Sequence, residues 1–176
     1  TEFAAWRPQH TWKEWWAGNR HYCEETDPLA SGGYYTKDQL KDLIEYARQR
    51  HIEIIPEIEM PGQSEEVLAA YPELSCTGEP YTQGEFCPGN EQTFRFLETV
   101  LDEVMDVFPS EYIHIGGDEA NKEHWKKCPK CQQRMQDEGL ADVDELQSYM
   151  IKRMARYVES KGRKVIGWDE ILDGGL

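Results

Sequence analysis

The chain has 176 residues, the size of one folding domain, and 39% of them are hydrophobic, which is enough to form a core. Its formal net charge of −15 makes a nucleic-acid partner or an anionic substrate unfavourable, because either would be repelled. The sequence encodes no apolar run long enough to span a bilayer and no N-terminal signal peptide. Thr1 is not a natural start, so we expect further sequence to precede it.

Residues 1–35 are rich in aromatic side chains and show no sustained periodicity. They predict an irregular loop with one short helix near Trp12–Trp16, and such a long loop usually lies on a scaffold. We therefore expect residues 1–176 to form one α/β domain whose first part is this aromatic segment.

From Thr36 onward the sequence alternates predicted helices with short apolar strands. Helical spacing and capping residues predict helices over 36–47, 65–70, 90–108, 121–138 with a break at Pro129 and a C-cap at Gly139, and 143–161. The predicted strands are 52–55, 112–115 and 164–168. This order favours three parallel strands joined by helical crossovers, in either a barrel or an open sheet.

Acidic residues follow or end every predicted strand. The three groups are Glu57 with Glu59, Asp118 with Glu119, and Asp169 with Glu170. Because the carboxyl ends of parallel strands meet at one edge, where α/β folds place their sites, we expect these carboxylates to converge. Like charges repel one another, so convergence favours a functional role.

Each of these groups also has a purely structural interpretation. Gly-Gly-Asp-Glu can be a turn that caps the next helix, Glu57 and Glu59 can be solvated, and Trp168 can be a core aromatic. The sequence has no Gly-rich phosphate loop and no serine or cysteine nucleophile motif. Paired carboxylates acting on a glycosidic bond are the interpretation we favour, with a metal-dependent α/β hydrolase as an alternative.

The five cysteines do not form a clean disulfide framework, because their number is odd. Cys76 and Cys87 bracket a Gly/Pro-rich loop and could pair. Cys128 and Cys131 have the CxxC spacing of a zinc knuckle, but with His124 they make only three candidate ligands where zinc needs about four. The sequence therefore favours a structural or incidental cysteine pair over a metal site.

Four segments in order resemble family 20 glycoside hydrolases, the β-N-acetylhexosaminidases. They are Ile-Pro-Glu-Ile-Glu-Met-Pro-Gly at 55–62, Phe-Cys-Pro-Gly-Asn at 86–90, Ile-His-Ile-Gly-Gly-Asp-Glu at 113–119 and Gly-Trp-Asp-Glu at 167–170. The resemblance covers most of residues 33–176 and implies part of a (β/α)8 TIM barrel.

The resemblance also implies a mechanism, in which the 2-acetamido oxygen of the sugar attacks C1. Glu119 would be the general acid and then the base, and Asp118 would orient the acetamido group. Trp168, Gln63 and Glu57 would bind substrate, although the family usually has histidine where this chain has Gln63. No metal and no cofactor are expected, and the substrates would be glycans that end in N-acetylglucosamine or N-acetylgalactosamine.

The chain departs from the family by showing only three predicted strands and none of the segments that carry the family's sugar-gripping arginine and tyrosine. We therefore expect a partial barrel that self-associates to cover its open edges and that has weak or no activity. The alternative is a non-catalytic carbohydrate-binding half-barrel. By resemblance the protein would be periplasmic or secreted, or lysosomal in a eukaryote.

Overall fold

The computed structural model of the chain describes residues 6–8 and 21–175. Within these ranges the helices are α1 Lys37–Arg48, α2 Glu65–Ala70, α3 Glu91–Val107, α4 Glu123–Lys127, α5 Pro129–Glu138 and α6 Val143–Ser160. The strands are β1 Trp6–Pro8, β2 Ala30–Gly32, β3 Tyr112–His114 and β4 Lys164–Ile166, and short 3-10 turns occupy Pro72–Leu74 and Asp169–Leu172. This is the α/β class that the sequence predicts.

Strand β3 lies in the middle of a small parallel array. On one side it pairs in parallel with β4, with Ile113 opposite Val165. On the other side the extended segment 56–60 runs parallel to it, through a bridge between Glu57 and His114. The predicted parallel arrangement of three segments that follow one another along the chain is therefore confirmed.

The predicted strand at 52–55 is wrong, because pairing with β3 begins one residue later. Pro56 accepts from the amide of His114 at 3.0 Å, but as proline it has no N–H to offer Tyr112. The amide of Tyr112 instead donates to the hydroxyl of Ser110 at 3.1 Å. As a result the chain before Pro56 is unpaired with β3, and Ile52 and Ile55 are exposed.

The sequence predicts residues 1–35 to be an irregular loop with one short helix, and the structure places two short strands in this segment. β1 and β2 form an antiparallel pair in which Arg7 lies opposite Ser31. The helix predicted near Trp12–Trp16 lies outside the described residues.

The main core lies between the parallel array and the two long helices, α3 and α6. Its buried members include residues from both helices, from β3 and the residue that follows β3: Phe94, Leu97, Leu101, Ile113, Ile115, Met150, Met154 and Val158. Burying such aliphatic and aromatic side chains is the main force that holds the helices on the array. None of the described helices is both long and apolar enough to cross a membrane.

The helix ends follow the predicted capping chemistry. The Thr36 hydroxyl accepts from the backbone amide of Gln39, and the side-chain oxygen of Gln39 accepts from the backbone amide of Thr36. The predicted capping box is therefore confirmed. Gly139 ends α5 in the left-handed conformation, and the predicted break falls at Cys128, after which Pro129 begins α5. The apolar stripe of α1 is only partly buried, however, since Leu43 on that helix is exposed.

Candidate functional site

Two glycines after β3 open the space in which the acidic residues meet. Gly116 and Gly117 have φ values of 69° and 105°, which are strained for any residue with a side chain. A Cβ on Gly116 would collide with the carboxyl group of Glu59, and a Cβ on Gly62 would press on the backbone of Asp118. The glycines therefore allow the segment 56–63 and the loop after β3 to approach closely.

The side chains of Asp118 and Glu119 converge on Gln63. Nε2 of Gln63 donates to Oε2 of Glu119 at 2.8 Å and lies 3.4 Å from Oδ2 of Asp118. Both Gln63 and Glu119 have positive φ, at 51° and 50°. Side-chain-bearing residues adopt this region only where the surrounding structure holds them there, which is frequent at functional sites.

Glu59 lies close to Asp118 and is partly buried. Burial, followed by proton sharing with Glu57 and the charge of Asp118, raises the pKa of Glu59 to about 8. Oε2 of Glu59 and Oδ1 of Asp118 are both buried, and neither has a hydrogen-bond partner among the described residues. A proton held on Glu59 relieves the repulsion among these carboxyl groups.

Trp168 lies at the same edge and is not a core residue. Its side chain is 48% exposed. Its indole Nε1 donates to Oε1 of Glu57 at 3.0 Å. The ring of His114 packs against it edge-on at 5.0 Å between centroids, and Nδ1 of His114 is 3.2 Å from the same Glu57 oxygen. Glu57 is thus hydrogen-bonded at the rim, and the structure leaves part of the indole open to solvent.

The buried side chain of Gln147, on α6, bridges the loop that carries Asp118 and Glu119 and the turn that carries Asp169 and Glu170. Nε2 of Gln147 donates to the backbone carbonyls of Gly117 at 3.1 Å and of Glu170 at 3.0 Å. The carboxylate of Glu170 reaches the amide of Glu119 at 3.5 Å. All three acidic groups therefore meet at one edge, as the sequence predicts. Sequence reasoning missed Gln147, whose only signal was a polar residue on the buried face of a helix.

An open cleft of about 490 Å³ lies beside Glu119 and Gln63. Its walls carry residues that sequence reasoning did not select, from the N-terminal segment, from the loop before α3 and from α4: Arg7, Tyr22, Tyr81, Gln83, Glu85 and His124. The volume is in the range of small-molecule sites. Asp118 and Trp168 are not among its lining residues, so the cleft opens from the Glu119 side of the pair.

Four cysteines form a separate cluster, which corrects the sequence interpretation of three candidate ligands. Cys76, Cys87, Cys128 and Cys131 lie together, with all four sulfur atoms within 4.8 Å of one another. His124 is not a member, because its Nδ1 is 2.7 Å from the carboxylate of Glu85. All the described cysteines are free, including Cys76 and Cys87, which the sequence had suggested as a pair.

Three parallel segments bring paired carboxylates to one edge of the array, and Glu119 of this pair lines the open cleft. Carboxyl groups in such a position can carry out acid–base chemistry. The family model of the glycosyl hydrolase family 20 catalytic domain matches residues 1–176. The chain therefore belongs to that family.

Similar proteins agree with this assignment. The β-hexosaminidase of Porphyromonas gingivalis is 47% identical over 86% of this chain. The crystal structure of the β-N-acetylhexosaminidase of Bacteroides fragilis is 44% identical, with a TM-score of 0.77 over 80% of this chain. The Vibrio harveyi family 20 exo-β-N-acetylglucosaminidase, solved with N-acetylglucosamine, is 30% identical, with a TM-score of 0.80 over 97%. The chain spans 21%, 29% and 27% of these three proteins.

Proposed function

We propose that this chain carries the catalytic carboxylates of a retaining β-N-acetylhexosaminidase, Asp118 and Glu119. The observation that supports this most directly is the convergence of the two carboxyl groups on the amide of Gln63, beside an open cleft that Gln63 and Glu119 line. Two carboxyl groups held together at a strand-end rim are suited to moving a proton at a glycosidic bond.

The proposed reaction uses the substrate's own 2-acetamido oxygen as nucleophile. Glu119 gives its proton to the glycosidic oxygen as the bond to C1 breaks, while the acetamido oxygen bonds to C1. Asp118 accepts a hydrogen bond from the acetamido N–H and stabilises the positive charge that develops. Water then attacks C1, Glu119 takes its proton, and the bond between C1 and the acetamido oxygen breaks, which restores the acetamido group on the sugar.

The proposed substrates are glycans with a terminal N-acetylhexosamine. The Vibrio harveyi relative was solved with N-acetylglucosamine, which supports this class of sugar. Trp168 presents a partly exposed indole at the rim, and such a surface is suited to contact with the acetamido methyl group. Glu57 accepts from the indole Nε1, and we propose that it fixes the ring for this contact.

The fold that we propose around this site is part of a (β/α)8 barrel. The three parallel segments neighbour one another in chain order, as strands of such a barrel do, and the family 20 catalytic-domain model matches the chain. Three segments leave two open edges, so we propose that the 176-residue chain self-associates and that its hydrolytic rate is low.

A pair of fluorogenic substrates tests the proposed function. The chain should hydrolyse methylumbelliferyl N-acetyl-β-D-glucosaminide and should not measurably hydrolyse the β-D-glucoside, because the glucoside lacks the internal nucleophile. Equal rates with both sugars would contradict substrate assistance. Calorimetric binding of N-acetylglucosamine without any turnover would instead favour the carbohydrate-binding alternative.

A further inference from the structure

The cluster of Cys76, Cys87, Cys128 and Cys131 has the dimensions of a tetrahedral metal site. The sulfur of Cys131 lies 3.7 Å from that of Cys76 and 3.6 Å from that of Cys87, and the sulfurs of Cys87 and Cys128 are 3.7 Å apart. Four thiolates that bind zinc at about 2.3 Å in tetrahedral geometry stand about 3.8 Å from one another. We propose that these four cysteines bind one structural Zn²⁺ ion.

The ligands come as two pairs from two distant parts of the chain. Cys76 and Cys87 flank the loop between the 3-10 turn Pro72–Leu74 and helix α3, while Cys128 and Cys131 flank the start of α5. Cys128 and Cys131 have the short spacing that is typical of zinc ligands, whereas Cys76 and Cys87 are brought together by the loop between them. Sequence reasoning saw only the CxxC pair, since nothing in the sequence shows that the fold brings the other pair beside it.

The backbone holds the two pairs close together. Gly89, which follows the Cys87-Pro88 dipeptide, packs so tightly on the backbone of Lys130 and Cys131 that any Cβ there would collide.

The surroundings of the cluster suit a closed structural site. Cys87 and Cys131 are fully buried, and Trp125 and Leu146 pack against the cluster in the same small core. The Trp125 indole donates to the carbonyl of Phe86 at 2.9 Å, which ties this core to the residue before Cys87. Four protein ligands complete a tetrahedral shell and leave no position for substrate, so the ion would stabilise the fold and would take no part in hydrolysis.

The ion would also fix two walls of the cleft, an extension that rests on the proposed function. Gln83 and Glu85 line the cleft just before Cys87, and His124 lines it just before Cys128. A metal that joins these two segments would hold the cleft walls at a set separation. The presence of the ion can be measured without any assay of hydrolysis, so the two proposals can fail separately.

Metal analysis of the full chain tests the site. The protein is purified without chelators or a metal-affinity tag and analysed by plasma mass spectrometry and by native mass spectrometry. We expect about one zinc ion per chain and four thiols that react with a thiol reagent only after the metal is removed. Substitution by Co²⁺ should give the intense visible absorption of tetrahedral cobalt–thiolate coordination.

Two cysteine variants provide the comparison. Cys131→Ser should lose most of the zinc and the cobalt absorption, whereas Cys23→Ser should keep both, since Cys23 is not part of the cluster. If Cys131→Ser does not fold, the cobalt spectrum and the zinc content of the unaltered chain decide the question. The proposal is overturned by a metal-free folded chain with reactive thiols, by an intact mass that shows two disulfides, or by iron in place of zinc.

Discussion

The side-chain amide of Gln63 donates a hydrogen bond to the carboxylate of Glu119, with a nitrogen–oxygen distance of 2.8 Å. The same nitrogen is 3.4 Å from Asp118, so one side chain contacts both members of the proposed catalytic pair. An amide nitrogen can donate but, unlike the imidazole of a histidine, cannot change its protonation state. Gln63 can therefore orient both carboxyl groups without exchanging a proton with either.

The first prediction concerns this hydrogen bond. Gln63→Leu keeps the approximate size of the side chain but removes its donors, and a hydrogen bond to a charged group contributes about 1.5–3 kcal/mol. We expect kcat/KM for the fluorogenic N-acetylglucosaminide to fall about ten- to a hundredfold. Gln49→Leu, at the exposed end of α1, is the matched control and should leave kcat/KM unchanged. Equal rates for both variants would show that Gln63 does not position the pair.

The second prediction concerns the dependence of stability on pH. Glu59 has a pKa raised from 4.5 to about 8, mainly by burial, so the folded protein favours its protonated form. The stability that this form contributes is fully present below about pH 4.5 and is lost as the pH rises through about 8. Because the site is partly open to water, we expect a loss of about 1–3 kcal/mol.

The variant Glu59→Gln isolates this contribution, since an amide cannot ionise. Urea unfolding at several pH values should show that the stability lost by the unaltered chain between pH 5 and pH 9 is smaller in the variant, by about 1–3 kcal/mol. Glu159→Gln on the exposed side of α6 is the control and should follow the unaltered chain. Parallel curves for Glu59→Gln and the unaltered chain would rule out a buried proton on Glu59.

Much of the fold could be predicted because its signals are local. The capping box at Thr36, the apolar spacing of α3 and the glycine that ends α5 all act within a few residues of the positions they determine. The absence of a strand at 52–55 could not be predicted, because strand formation there requires hydrogen bonds to the backbone of β3. Pro56 has no N–H to donate, and the Ser110 hydroxyl accepts from the amide of Tyr112 instead; these two residues lie far apart in sequence.

The acidic residues of the site could also be predicted from the sequence, but the cleft walls and the cysteine cluster could not. Parallel topology was enough to place the three acidic groups at one edge, and the structure brings Asp118, Glu119 and Gln63 together. The cleft walls were not predictable, since residues such as Tyr22 and Tyr81 come from loops without periodicity. The cysteine cluster was misjudged for a related reason, because metal ligands are counted in space and only two of the four are near neighbours in sequence.

The third prediction concerns self-association through the edge beside segment 56–60. Among the described residues no strand pairs with the outer edge of this segment, and Ile52 and Ile55, just before it, are 57% and 41% exposed. Exposed apolar residues beside an unpaired edge favour association. We expect the unaltered chain to sediment as a dimer or larger species, and the double variant Ile52→Lys with Ile55→Lys to sediment as a monomer. Leu43→Lys, at an exposed position on α1, is the control. A monomeric unaltered chain at every concentration would refute this prediction.

The central claim is that Asp118 and Glu119 work as one catalytic unit, and a double-mutant cycle tests it most directly. Rates of N-acetylglucosaminide hydrolysis are compared for Asp118→Asn, Glu119→Gln and the double variant, with folding checked by circular dichroism. We predict that each single variant loses about a thousandfold or more in kcat/KM and that the double variant loses little beyond the worse single variant. A kcat/KM close to that of the unaltered chain in either single variant would contradict the claim that Asp118 and Glu119 form one catalytic unit.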